Sequence, residues 1–173
     1  LMTDKVKAIV CVHYGGLPCD MDELKSIADE WGIPIIEDAA HAVGAKYKGV
    51  DIGSISDFTM FSFQAIKHIT TGDGGMVVIK DKELVDKAER RRWFEIDRKD
   101  KQAGIWENDI TEIGYKYQMT DIAAAMGIVS LAEFDEQSKL RKTLFRTYSE
   151  ELANCDRLRV VGNGFTDREH AAW

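Results

Sequence analysis

An α/β fold is what the sequence predicts, three layers in the order αβα around a mostly parallel mixed sheet. Three observations carry it. Four apolar runs, at residues 8–12, 33–36, 58–63 and 76–79, are short and nearly unbroken, the pattern of strands covered on both faces. Between the first two lies a stretch with apolar Leu24, Ile27, Ala28 and Trp31 at helical spacing. The chain is 173 residues long, enough for one domain that buries about 70% of its unfolded surface.

Each element has a local cause. Residues 8–12 form a buried strand, and 13–18 form the loop after it. Asp20 can cap a helix starting at Met21, and Gly32 stops that helix. With residues 33–36 as the next strand, this is a strand-helix-strand unit of about 30 residues, which implies a parallel pair with a right-handed crossover. Strands follow at 58–63 and 76–79. Asp81 is the expected cap of a charged helix over 83–93, striped by Leu84, Val85 and Ala88. Residues 97–108 are polar and aperiodic, and read as a long excursion loop. Thr120 caps an apolar helix through 134, with a charged helix over 136–152 after it. Because apolar residues crowd most faces of the first of these two, burial in the domain or at a subunit interface is expected. Residues 157–161 read as a strand of a further layer.

Composition narrows the function. The net charge of −7 and the lack of a basic stripe argue against nucleic acid. Arg90-Arg91-Arg92 reads as a solvated helix face. Three cysteines, Cys11, Cys19 and Cys155, fit no metal spacing and point to a reduced, cytoplasmic protein. No apolar run approaches the roughly 18 residues of a membrane span. Both ends of the sequence stop in mid-pattern, so a fragment of a longer protein is expected.

The chemistry centres on Lys67 and Asp38. Lys67 lies in a polar segment between two strands, with the Ser62 hydroxyl five residues before it and a glycine cluster starting five after. An amine partly desolvated at such a turn can attack a carbonyl. Asp38 falls just past the second strand, where open α/β sheets bind ligands. An aspartate there is also a common helix cap, and spacing alone leaves both readings open.

Four motifs, in order, carry a resemblance over about residues 5–155. They are Ile36-Glu37-Asp38-Ala39-Ala40-His41-Ala42-Val43-Gly44-Ala45, the Ser62 to Lys67 stretch, Thr70-Thr71-Gly72-Asp73-Gly74-Gly75-Met76-Val77, and Ile113-Gly114-Tyr115-Lys116-Tyr117-Gln118-Met119-Thr120-Asp121-Ile122. Together they resemble the DegT/DnrJ/EryC1/StrS family of pyridoxal-phosphate-dependent sugar aminotransferases. By that match Lys67 is the Schiff-base lysine and Asp38 the partner of the pyridine nitrogen. His41 stands beside the cofactor ring and its phenolic oxygen, and Ser62 is a phosphate ligand. Lys116 occupies a position where many relatives carry Asn toward the partner subunit's phosphate. An ammonium could serve the same anion.

The resemblance implies part of the large domain of a fold-type-I enzyme. Residues 1–155 would be the central part of the cofactor-binding domain, and 156–173 the start of the connection to a small C-terminal domain. It also implies pyridoxal 5'-phosphate as cofactor, transamination of a nucleotide-linked keto sugar for polysaccharide or antibiotic sugars, glutamate as amino donor, and a homodimer. Alternatives are a sugar 3-dehydratase of the same family, which carries His in place of the lysine, a non-catalytic binding protein on the same fold, and an inactive fragment.

Overall fold

The computed structural model of the chain describes residues 2–107, 109–162 and 164–173. In chain order the elements are β1 (Ile9–Val12), α1 (Met21–Trp31), β2 (Ile35–Asp38), β3 (Lys46–Tyr47), β4 (Val50–Asp51), β5 (Phe58–Ser62), β6 (Gly75–Ile79), α2 (Glu83–Arg92), α3 (Arg98–Gln102), α4 (Asp121–Ala132), α5 (Phe134–Glu151) and β7 (Arg168–Glu169). The main sheet runs β1-β2-β5-β6. Its first three strands are parallel and β6 is antiparallel to β5, so the mixed α/β class expected from the sequence is the one found.

The strand-helix-strand unit forms as its punctuation dictates. Asp20 accepts the Glu23 N–H at 3.4 Å, and Gly32 closes α1 in the left-handed region at φ 61°, with its N–H directed at the Ala28 and Asp29 carbonyls. Strand register then sorts the side chains onto two faces. Cys11, Glu37 and Thr59 form one cross-strand row, and Val12, Asp38 and Met60 the next. The first row faces the core that Met21, Ala28, Ile35, Ala39, Tyr47 and Ile52 build under α1. The second row faces away from that core, and Val10, Val12 and Met60 on this side are exposed.

A second sheet, β4-β3-β7, is small. Lys48 and Gly49, both with positive φ, turn β3 into β4, the backbone that a two-residue hairpin needs. β7 reaches β3 from far along the chain, and Arg168 fixes it there. Its guanidinium donates to the Pro18 carbonyl at 3.1 Å and to Asp20 at 3.0 Å, and lies over the Tyr47 and Phe165 rings.

Several expectations need correction. Residues 157–161 are not a strand; 158–160 are irregular chain between turns, and the late strand is β7. The polar stretch 97–108 contains the short helix α3, started by Asp97, whose carboxylate accepts the Lys99 and Asp100 N–H groups. Asp81 accepts the Glu83 N–H at 2.9 Å, but the cap position of α2 is Lys82. Thr120 does cap α4, accepting the Ala123 N–H. Within this chain α4 is not buried: Ile122, Ile128 and Val129 are 79%, 70% and 62% exposed. Among the described residues no helix is long and apolar enough to cross a membrane, and no group of three or more side chains is arranged to hold a metal ion.

Candidate functional site

The site is built where β2 and β5 end. Asp38 is the last residue of β2 rather than the first beyond it. Its Oδ1 accepts the Ala40 N–H at 3.1 Å, which turns the chain out of the strand. Oδ2 has no hydrogen-bond partner among the described residues. Register puts Asp38 in one row with Val12 and Met60, on the face that α1 leaves uncovered. Ser62, two residues after Met60, ends β5 on the same face.

Between β5 and β6 the lysine loop is closed at its neck. The Phe63 N–H donates to the Gly74 carbonyl at 2.8 Å, and the Thr71 N–H to the Phe63 carbonyl at 2.9 Å. Inside the loop the Ser62 hydroxyl accepts the Gln64 N–H at 3.3 Å, and the Lys67 N–H donates to the Gln64 carbonyl at 2.9 Å. Two outside ties hold it. The Thr70 N–H donates to the Ser130 hydroxyl of α4 at 3.1 Å, and His68 Nε2 donates to the Ala171 carbonyl at 3.1 Å. Burial pushes the His68 pKa down, which keeps the ring a neutral donor. Lys67 is thereby presented, half-buried, from a braced turn.

His41 joins the two ends. Burial first, and the Lys67 charge second, push its pKa below 6.5, with the Asp38 carboxylate opposing. Its Nδ1 accepts the Gly15 N–H at 3.2 Å, so the neutral ring carries its proton on Nε2. Gly15 and Gly16 make this approach feasible. Gly16 has φ 84°, and a Cβ there would lie 2.8 Å from the His41 carbonyl oxygen and 3.0 Å from the Ala171 Cβ, so only glycine fits.

Behind the site is a buried polar network that the sequence reading does not contain. His13 and Glu37 are both fully buried, and His13 Nε2 lies 2.7 Å from Glu37 Oε2. Glu37 Oε1 accepts the Ser56 N–H at 3.2 Å and the Thr59 hydroxyl at 3.1 Å. Burial would raise the Glu37 pKa, but these donors outweigh it and hold the carboxyl below the ordinary value of 4.5. His13 Nδ1 accepts the Cys19 N–H at 3.0 Å, so its proton is on Nε2, directed at the carboxylate. Burial pushes the His13 pKa down, while Cys19 first and Glu37 second push it up, to about 9 on balance; a second proton would have to enter at Nδ1, where the Cys19 N–H already donates. The signal in the sequence is Glu37 itself, a carboxylate set directly after the apolar run 33–36, since a carboxylate in a buried strand requires a partner.

Asp38, His41, Ser62 and Lys67 are therefore placed around the carboxyl ends of β2 and β5. Lys116 is not brought to them by any recorded contact among the described residues. It bridges to Trp93 in an isolated strand pair, and its ammonium lies 5.6 Å from the centre of the Phe94 ring. Trp173, which the sequence reading passed over, does reach the group, packing against His41 and Lys67. The donor set suits pyridoxal phosphate. An available carboxylate oxygen complements a protonated ring nitrogen, an imidazole N–H a phenolic oxygen, a hydroxyl a phosphate, and an amine an aldehyde.

Known proteins share this chain's fold and much of its sequence. The chain is 39% identical over 147 residues to the UDP-4-amino-4,6-dideoxy-N-acetyl-beta-L-altrosamine transaminase of Campylobacter jejuni, covering 85% of this chain and 38% of that protein. It superposes on AtS13 from Actinomadura melliaura with a TM-score of 0.90 at 38% identity, over 98% of this chain and 47% of that one. The sugar aminotransferase Spr1654 of Streptococcus pneumoniae, solved in a PMP form and a PLP form, gives TM-scores of 0.86 and 0.80 at 31% identity, over 99% of this chain and 49% and 47% of those chains. The chain spans 42% and 38% of the length of the curated relatives it matches. Matched along residues 1–173, it belongs to the DegT/DnrJ/EryC1/StrS aminotransferase family, whose cofactor is pyridoxal phosphate.

Proposed function

We propose that this chain is the lysine-bearing part of an aminotransferase that moves an amino group onto a nucleotide-linked keto sugar, with glutamate as donor. The observation that carries this reading is the placing of Asp38, His41 and Lys67 at one sheet end, with His41 under the charge of both others. The nucleotide sugar named for the Campylobacter relative supports the substrate class. Bound pyridoxal phosphate supplies an aldehyde that takes up amines and a ring that accepts an electron pair.

The chain's own residues do the rest. Lys67 would be the amine that holds the cofactor through its aldehyde, with loss of water, and would carry protons once released. Asp38, through its available oxygen, keeps the ring nitrogen protonated. His41, with its proton on Nε2, would donate to the phenolic oxygen. Ser62 accepts the Gln64 N–H and so keeps its own O–H for a phosphate oxygen. Lys116 is outside this cluster, and in a homodimer the copy from the partner subunit would serve the phosphate. The exposed apolar residues of α4 fit such an assembly. Residues 1–155 are the central part of the cofactor-binding domain in this reading, and 156–173 lead toward a smaller one. The three cysteines are free, in keeping with a cytoplasmic setting.

The test is chemical. Pyridoxal phosphate is added to the protein, the adduct is reduced with borohydride, and the digest is read by mass spectrometry. A phosphopyridoxyl group confined to Lys67 is the expected result. Label spread over the surface lysines, or none, overturns the assignment of Lys67.

A further inference from the structure

The segment 168–173 carries an aromatic residue into the site, to which neither the family motifs nor the relatives' names give a role. The Trp173 indole lies parallel to the His41 imidazole, with ring centroids 3.7 Å apart and planes 8° from parallel. Lys67 Nζ lies 4.7 Å from the centre of the same indole, within cation–π range. One aromatic plane thus touches both the proposed Schiff-base lysine and the proposed partner of the phenolic oxygen.

This placement is built rather than incidental. Ala171 is fully buried, its N–H donating to the Gly16 carbonyl at 3.0 Å and its carbonyl accepting from His68. Ala172 is buried with φ 57°, a left-handed backbone that a non-glycine residue keeps only where its surroundings impose it. Its N–H donates to His170 Nδ1 at 2.7 Å, and this local turn aims the next residue, Trp173, at His41. The imidazole is then held in two independent ways. The Gly15 N–H on Nδ1 fixes which nitrogen carries the proton, and the parallel indole fixes the plane in which that proton points. Tyr14, tilted at 60° with its ring centre 5.7 Å away, lies against another side.

We infer that Trp173 is a positioning residue of the active site, one that locks the His41 ring plane with Nε2–H as donor and rests the Lys67 side chain against its own face. The inference deepens the reading of His41 and Lys67 given above and depends on it for its functional meaning, but its structural content can be tested without cofactor. The groups that face His41 are the Lys67 ammonium from the lysine loop, the Asp38 carboxylate from the end of β2, and His68.

The experiment is a ¹⁵N NMR titration of the His41 ring in the cofactor-free full chain, with the resonance assigned through His41→Gln. The wild type is expected to show a single Nε2–H tautomer that titrates below 6.5. Trp173→Phe, which keeps a flat ring, should preserve both features. Trp173→Ala should raise the midpoint toward 6.5, because it exposes the imidazole, and should mix the two tautomers. Should the alanine variant fail to fold, Trp173→Leu fills similar space without a ring and should still mix the tautomers. A folded alanine or leucine variant with the wild-type tautomer and midpoint overturns the inference. Borohydride labelling of the same proteins separates the two claims. Lys67 unlabelled in the wild type defeats the functional reading and leaves the titration result standing. Lys67 labelled in the wild type, with His41 indifferent to position 173, defeats only the inference.

Discussion

Lys67→Ala is expected to abolish transamination while the protein stays folded. In the proposed reading the nucleophile and the proton carrier are the same nitrogen, and among the described residues no second amine touches the group around Asp38 and His41. Loss on the order of 10³-fold or more in kcat is the scale set by removing a covalent nucleophile that also acts as general base. The fold should hardly notice. The Lys67 side chain is half-buried, and its recorded side-chain contact is the Trp173 face, so about 1 kcal/mol or less is at stake. The loop itself is closed by backbone bonds from Phe63, Lys67 and Thr71, which alanine keeps. Turnover of a keto sugar with glutamate, measured beside a urea unfolding curve, checks both halves. A variant that unfolds at the wild-type midpoint and still turns over would remove Lys67 from the mechanism.

The second large effect concerns stability. Glu37→Ala leaves His13 Nε2–H, the Ser56 N–H and the Thr59 hydroxyl without their acceptor, all in the interior. Breaking one side of a buried charged network costs about 3–5 kcal/mol, against a total domain stability of about 5–15 kcal/mol. Glu37→Gln keeps the volume and one acceptor oxygen and should cost less. The acid limb of the stability curve carries an independent signature. The folded Glu37 carboxyl titrates below its ordinary value of 4.5, so the unfolded chain takes up the proton first as pH falls. Its contribution is therefore complete above about pH 4.5 and is lost as pH drops through the folded value. The difference in urea midpoint between wild type and Glu37→Gln should be full at pH 7 and narrow as pH falls below 4.5. A Glu37→Ala protein within about 1 kcal/mol of wild type would mean that the network does not hold the sheet.

What the sequence disclosed was what is encoded locally. The β1–α1–β2 unit, its Asp20 cap and Gly32 stop, and the Thr120 cap of α4 each depend on residues within a turn or two of one another. Features set by distant partners stayed hidden. Residues 157–161 have strand-like composition, yet the strand that forms is Arg168–Glu169, because β3 offers its edge there and Arg168 can reach Pro18 and Asp20. The helix α3 escaped because five charged and polar residues show no apolar period, and one cap residue, Asp97, suffices to start it. At the site, motif order pointed to Asp38, His41, Ser62 and Lys67, and the fold puts them at one sheet end. Trp173 gives no comparable signal, since its role depends on a fold-back that no local pattern announces. Of the two alternatives expected for α4, burial within the domain is not found, because apolar faces show that a surface is to be covered, not that this chain covers it.

The bond from His68 to the Ala171 carbonyl joins residues 103 positions apart, and that span has a kinetic meaning. Closing a loop of that size must be paid in chain entropy before the contact returns anything. The β1–α1–β2 unit can close within about 30 residues, so it can order while the lysine loop still lacks its outer wall. The wall that Ala171 and Trp173 form is therefore expected to order after that unit. The lysine loop is thus completed by a contact that forms late, after the sheet that carries it.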